Sequence, residues 1–134
     1  MKKLILIVED HPDVVDLMQK MLEISSYRVA IATTGTEALE VATARLPNLI
    51  IMDLLLPEMD GLEVTAILKD HPKTRDIPIL ATTARALPDE RSKCLAAGCA
   101  EYLAKPFSYK ELAAAVENLL KGSERNTISS RDRF

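Results

Sequence analysis

Asp53 closes a run of large apolar residues, Leu49, Ile50, Ile51 and Met52, that follow one another without alternation. Such a run suits a strand covered by helices on both faces, and a carboxylate at its end is costly to desolvate unless solvent or a cation meets it. The pattern occurs twice, because the aliphatic run Leu4 to Val8 ends on the adjacent acids Glu9 and Asp10. Two further candidate strands end on donor groups: Ile77 to Ala81 runs into Thr82 and Thr83, and Ala100 to Ala104 stops at Lys105 and Pro106. Carboxylates gathered in one place repel each other, and a hard divalent ion such as Mg²⁺ relieves that repulsion while keeping positions open for water or phosphate oxygens. An aspartate beside such an ion and an ammonium is a competent nucleophile of the aspartyl-phosphate type, with a hydroxyl and a lysine as donors to the incoming group. Singly, each residue has a plainer role: Glu9 and Asp10 a solvated pair, Asp53 a turn former, Thr83 a helix cap, Lys105 a surface charge and Pro106 a turn residue. Their common placement at strand ends is what favours a site.

The elements that would position them alternate between two periodicities. Strands are expected at Leu4 to Val8, Tyr27 to Ala32, Leu49 to Met52, Ile77 to Ala81 and Ala100 to Ala104. Between them lie helical patterns. The first starts at Pro12 and carries Val14, Val15, Leu17, Met18, Met21 and Leu22; the second follows Thr34 or Thr36 as N-cap; the third starts at Leu62, after the Asp60-Gly61 turn; the fourth spans Ala84 to Ala97 and stops at Gly98. In the last helix Ser108 and Glu111 form a capping box, and Gly122 marks the stop. Strands alternating with helices through short connections imply a parallel sheet with right-handed crossovers. The expected fold is α/β, a flavodoxin-like (βα)5 doubly wound sheet of strand order 2-1-3-4-5, whose carboxyl edge would collect Glu9, Asp10, Asp53, Thr83 and Lys105. Residues 1–121 are expected to form the domain and residues 122–134 a flexible polar tail.

Composition narrows the function classes. The chain has 134 residues, 48% of them hydrophobic, so it can bury a core without disulfides or structural metal. Aromatics are only 4% and the net charge is −3 with both signs intermixed, which argues against nucleic acid or an anionic membrane as the main partner. No apolar run is long enough to cross a bilayer, and Glu9 and Asp10 interrupt anything resembling a signal peptide, so a cytoplasmic location is expected. In that reducing compartment Cys94 and Cys99 are expected to be packing residues.

Four segments in order, VEDHPD, IIMDLLLPEMDG, ILATTA and YLAKPF, resemble the signature segments of the receiver domain of two-component response regulators. The resemblance covers about residues 3–121. It implies that Asp53 accepts a phosphoryl group from the phosphohistidine of a sensor histidine kinase or phosphotransfer protein. By the same resemblance Mg²⁺ is held by Glu9, Asp10, Asp53 and the backbone carbonyl of Leu55, and Lys105 pairs with the phosphoryl group. Thr83 and Tyr102 fall on the switch positions, Leu55 and Arg85 on two positions that tune phosphoryl lifetime, and the bond between Lys105 and Pro106 is expected to be cis.

The implied function is a phosphoacceptor signalling domain rather than an enzyme acting on a separate substrate, catalysing its own phosphorylation and dephosphorylation. It would bind a downstream protein through the face formed by helix 4, strand 5 and helix 5, as a monomer or weak dimer. After Lys121 there is no room for a DNA-binding or enzymatic output domain, and a stand-alone receiver is the simplest expectation. Three alternatives differ in testable ways. A haloacid-dehalogenase-type phosphatase would need an acid two residues after the nucleophile, where this chain has Leu55. A phosphate-independent binding module would have no use for the intact acid, hydroxyl and lysine set. A receiver cut from a hybrid kinase or longer regulator would differ only in its boundaries.

Overall fold

The computed structural model describes residues 2–85 and 87–132, with side chains described as far as residue 122. Five strands alternate with five helices: β1 (Leu4–Val8), α1 (Pro12–Ile24), β2 (Arg28–Ala32), α2 (Gly35–Arg45), β3 (Leu49–Asp53), α3 (Gly61–Asp70), β4 (Ile79–Thr83), α4 (Glu90–Ala97), β5 (Glu101–Ala104) and α5 (Tyr109–Asp132). The strands form one parallel sheet in the order β2-β1-β3-β4-β5, as expected. β1, β3 and β4 are buried along their whole length, which is the physical reason their sequences do not alternate. β2 and β5, at the edges, are more exposed.

Because side chains alternate across a strand, each buried strand feeds two separate cores. Leu6, Val8, Ile50 and Met52 pack with Ala38 and Ala42 of α2, Val64 and Leu68 of α3 and Cys94 of α4. On the other face Ile5, Ile7, Leu49 and Ile51 pack with Met18 and Leu22 of α1 and with Leu112, Val116 and Leu120 of α5. The sheet's middle is therefore clamped from both sides. Both cysteines are buried and unpaired, and they sit where α4 ends: Gly98, at φ +110, turns the chain so that the Cys99 amide donates to the Cys94 carbonyl at 3.0 Å.

Local signals explain most boundaries. The Ser108 and Glu111 capping box forms in both directions, each backbone N–H donating to the other's side chain at 3.1 Å. Thr34, rather than Thr36, caps α2 by accepting from the Glu37 amide at 3.1 Å. β4 begins at Ile79 instead of Ile77, because Pro78 has no N–H for the ladder and the Ile77 carbonyl accepts from Lys69 Nζ.

Two helix boundaries correct the sequence expectation. α4 begins at Glu90 and not at Ala84, because the Thr83 hydroxyl accepts from the Arg85 amide at 3.0 Å and Pro88 disfavours helical backbone at the residue before it. α5 does not stop at Gly122 but continues as helical backbone to Asp132. A glycine inside a helix costs only about 1 kcal/mol and does not end it unless the chain also turns there. The expected tail of residues 122–134 is thus helical through Asp132, and its last two residues lie outside those described.

α3 starts hard against the end of β3. Its N-cap Asp60 accepts from the Leu62 amide at 2.9 Å, and the Gly61 amide donates to the Leu54 carbonyl at 3.2 Å. A Cβ on Gly61 would lie 2.5 Å from the Asp53 carbonyl oxygen and 2.7 Å from the Leu54 Cα, both backbone atoms that cannot swing aside. Gly61→Ala should therefore lower stability by about 1–3 kcal/mol, read as a reduced urea midpoint with an unchanged m-value.

Candidate functional site

The carboxyl edge of the sheet brings four of the expected residues together. β1 and β3 are hydrogen-bonded neighbours with Val8 opposite Met52, so the residues that follow, Glu9 and Asp53, emerge side by side. Both are almost fully buried, at 1% and 3% exposure. Lys105 arrives from the end of β5, where its amide donates to the Thr83 carbonyl at 2.7 Å, and the bond to Pro106 is cis as expected. Its ammonium hydrogen-bonds Glu9 Oε1 and lies 3.6 Å from Asp53 Oδ2. Asp53 Oδ1 accepts from the Leu55 amide at 3.0 Å. Glu9 Oε2 accepts from the amides of Asp10 and His11 at 3.1 and 3.2 Å.

One ammonium between two buried carboxylates cannot satisfy both equally. Burial acts to raise both acids, but in Glu9 the Lys105 hydrogen bond, with help from Asp53 and the His11 amide, outweighs it and holds the group below its ordinary value. Asp53 is pushed up to about 6, first by burial and then by the charge of Glu9, against the opposing Leu55 amide and Lys105. In the resting site the more distant partner of Lys105 thus carries the destabilised charge.

The carboxylates and His11 supply ligand atoms that all lie within 4.8 Å of one another. Asp10 Oδ1 is buried and accepts no hydrogen bond, although His11 Nδ1 lies 3.4 Å from it. An unsatisfied carboxylate oxygen beside two other acids is the donor set that a hard cation completes, so the residues fit a metal.

The other expected residues are placed differently. Thr83 is fully buried at the end of β4, and its hydroxyl is turned to Arg85, accepting from that residue's amide and donating to its carbonyl at 3.3 Å. The Arg85 guanidinium reaches Glu90 Oε2 at 3.6 Å rather than an acid of the cluster. Tyr102 donates its hydroxyl to Glu90 Oε1 at 3.3 Å. Leu55 follows Asp53 by two residues and has an exposed side chain. Sequence reading passed over Glu90, which looked like an ordinary acid in a helix's first turn, and gave no role to His11, whose ring lies 3.3 Å from Glu9 Oε2. Adjacency to the acid pair was the available signal for His11; for Glu90 there was none.

Fold and site together define a small doubly wound α/β domain whose reactive groups, acids and one amine, sit at the carboxyl edge of its central strands. The chain belongs to the response regulator receiver domain family, which matches residues 5–117. It is similar to the polar-differentiation response regulator DivK of Brucella ovis, 38% identical over 120 residues that span 90% of this chain and 98% of that protein. Among solved structures, a putative response regulator from Chloroflexus aurantiacus superposes with a TM-score of 0.87 at 36% identity, covering 90% of this chain and 99% of the other. The receiver domain of a sensor histidine kinase from Pseudomonas aeruginosa, solved with a magnesium ion coordinated in its active-site cleft, gives a TM-score of 0.84, also at 36% identity, with coverage of 90% and 99%. These homologues place the chain among proteins of two-component signalling. No helix among the described residues is long and apolar enough to cross a membrane.

The raised acid makes a pH-dependent prediction for the metal-free protein. An unfolded aspartate releases its proton near pH 3.8 and folded Asp53 near pH 6, so between these values the folded state holds a proton that the unfolded state has lost. Stability attributable to this group is therefore present below about pH 4 and lost as pH rises through about 6. Asn mimics the protonated acid. In a chelator at pH 7, Asp53→Asn should be more stable than the wild type by about 2–3 kcal/mol, and the difference should vanish toward pH 4. Urea titrations of both proteins across that range would check it.

Proposed function

We propose that Asp53 is the phosphoacceptor of a phosphorelay, taking a phosphoryl group from the phosphohistidine of a sensor histidine kinase or phosphotransfer protein. The observation that carries this reading is the buried Asp53 carboxylate, left with a raised proton affinity beside Glu9 and within reach of Lys105. A carboxylate left without a full charge partner is an available nucleophile, and the acyl phosphate it forms carries its charge on phosphoryl oxygens, where Lys105 and a bound cation would meet it.

Glu9, Asp10, Asp53 and the backbone carbonyl of Leu55 are the groups that would hold Mg²⁺. Bound there, the ion supplies charge neutralisation for the acids and for the oxygens of the transferring group. An Asp53 carboxylate oxygen attacks phosphorus, the P–N bond to the donor imidazole breaks, and the electron pair returns to the imidazole nitrogen. The Leu55 amide fixes Asp53 Oδ1, which orients the other carboxylate oxygen toward Lys105. Lys105, now paired with Glu9, is the cation best placed to follow the new negative charge onto the phosphoryl oxygens. Thr83 contributes a hydroxyl once it leaves Arg85, and Tyr102 responds on the neighbouring strand, so the pair acts as the switch. Leu55 shields the phosphoryl group from water, and Arg85 tunes its hydrolysis after release from Glu90; the chain thereby catalyses its own phosphorylation and dephosphorylation.

A downstream protein reads the change on the face of α4, β5 and α5, and the chain works in the cytoplasm as a monomer or weak dimer without contacting nucleic acid or membrane. Incubation with Mg²⁺ and acetyl phosphate, followed by intact-mass spectrometry, should show the gain of one phosphoryl group. The gain should be absent in a chelator and in Asp53→Asn. Failure of the wild type under conditions that label another receiver would favour a phosphate-independent binding module.

A further inference from the structure

Glu90 is a buried carboxylate outside the acid cluster, only 5% exposed, although the first turn of a helix is a position where an acid is equally comfortable in water. Its two oxygens are divided between two different elements. Oε1 accepts from the Tyr102 hydroxyl of β5 at 3.3 Å, and Oε2 lies 3.6 Å from the Arg85 guanidinium in the loop after β4. Arg85 is in turn joined to Thr83 through both of its backbone polar groups, its amide donating to the hydroxyl at 3.0 Å and its carbonyl accepting from it at 3.3 Å. A polar path thus runs from Thr83 through Arg85 and Glu90 to Tyr102.

A threonine hydroxyl has a single proton, and here it is given to the Arg85 carbonyl. Thr83 cannot donate to a phosphoryl oxygen on Asp53 without breaking that bond and re-forming the Arg85 loop. The loop is anchored at its other end by Glu90, which also fixes Tyr102. We propose that Glu90 is a positioning residue that stabilises the resting arrangement of Thr83, Arg85 and Tyr102, so that phosphorylation must work against its grip; the proposal rests on Asp53 being the phosphoacceptor. A group that favours only one of two states weakens any ligand that favours the other, by the free energy it contributes to the first. Glu90 therefore sets how readily the charge gained at Asp53 is converted into movement at Tyr102.

Burial is the larger influence on the Tyr102 phenol and the Glu90 charge the next, and both raise it above the ordinary tyrosine value. Cys94 of α4 adds to this and Arg91 opposes it, while Glu101 on β5 engages the Tyr102 amide at 3.0 Å. The phenol is thus a reporter of Glu90 that is separate from the Asp53 site.

The test uses the full chain as wild type, Glu90→Gln, Glu90→Ala and Tyr102→Phe, each checked for a wild-type-like melting transition. Beryllium fluoride, a phosphoryl mimic, is titrated in the presence of Mg²⁺ and followed by amide chemical shifts. Loss of one partly exposed ion pair and one hydrogen bond to a charge should tighten beryllium fluoride binding roughly three- to tenfold in both Glu90 variants. Without the mimic, Glu90→Gln, which preserves side-chain volume, should move one tyrosine ionisation down toward the ordinary value, and Tyr102→Phe identifies that ionisation by removing it. Folded Glu90 variants with wild-type beryllium fluoride affinity, or an unchanged Tyr102 ionisation in Glu90→Gln, would overturn the proposal. A wild type that binds no beryllium fluoride while another receiver does would instead remove the phosphoacceptor reading, and this inference with it, an outcome distinct from variants that bind equally well. If Glu90→Ala does not fold, the isosteric Glu90→Gln decides alone.

Discussion

Two buried carboxylates share one ammonium, and the rest of the molecule is arranged around that imbalance. Glu9 and Asp53 follow paired positions on neighbouring central strands, where solvent is excluded and mutual repulsion is hardly screened. Lys105 comes from the far edge of the sheet and hydrogen-bonds Glu9 while standing 3.6 Å from Asp53. The result is one satisfied acid and one strained acid, although both end the same kind of aliphatic strand. On the proposed function, this shortage of positive charge at rest is what a cation and a phosphoryl group would complete together.

Holding such a site in place demands a sheet that does not yield. β1, β3 and β4 are buried end to end, and each contributes side chains to a core on either side, so a shift of one strand would open both cores. The approach of α3 to the carbonyl of Asp53, closed enough that only glycine fits at residue 61, fixes the loop from below. At the opposite margin the capping box of α5 fixes the chain just after Lys105 and Pro106. By contrast, Thr83, the last residue of β4, spends its hydroxyl on the segment that follows, accepting from the Arg85 amide and donating to the Arg85 carbonyl. The acids bond within the edge of the clamped sheet, whereas the hydroxyl, though on the same sheet, is bonded to the chain that leaves it.

This division also explains what could be read from the sequence. The buried strands and the gathering of Glu9, Asp10 and Asp53 follow from apolar runs that end on polar groups, a signal written in consecutive residues, while the strand order and the arrival of Lys105 follow from the choice of a doubly wound fold. The start of α4 was misread by taking Pro88 as a residue near the start of a helix already under way, whereas Pro88 and the Thr83 hydroxyl, each a local competitor, keep the helix from beginning before Glu90. Gly122 was misread in the other direction, since a glycine marks a helix end only where the chain turns. The orientation of Arg85 was not legible, because its partner Glu90 is chosen by the way α4 packs beside β5. Nothing in the spacing of Arg85, Glu90 and Tyr102 distinguishes that contact from three solvated side chains.

The same packing joins an event in the interior to the surface. On the proposed function, converting the Asp53 carboxylate into an acyl phosphate takes its charge from about −1 to about −2 in a place already short of positive charge, and every donor within reach is drawn toward it. Lys105 can answer by changing partners within the site, which alters nothing outside it. Thr83 can answer only by leaving Arg85, and Arg85 is bound to Glu90, which is bound to Tyr102 at a partly exposed position on β5. Of the two responses, only the second leads out of the buried cluster along described hydrogen bonds and ion pairs. On the proposed function, Lys105 meets the new charge while the Thr83 hydroxyl carries its effect outward, and the two tasks are separable because they begin on different strands.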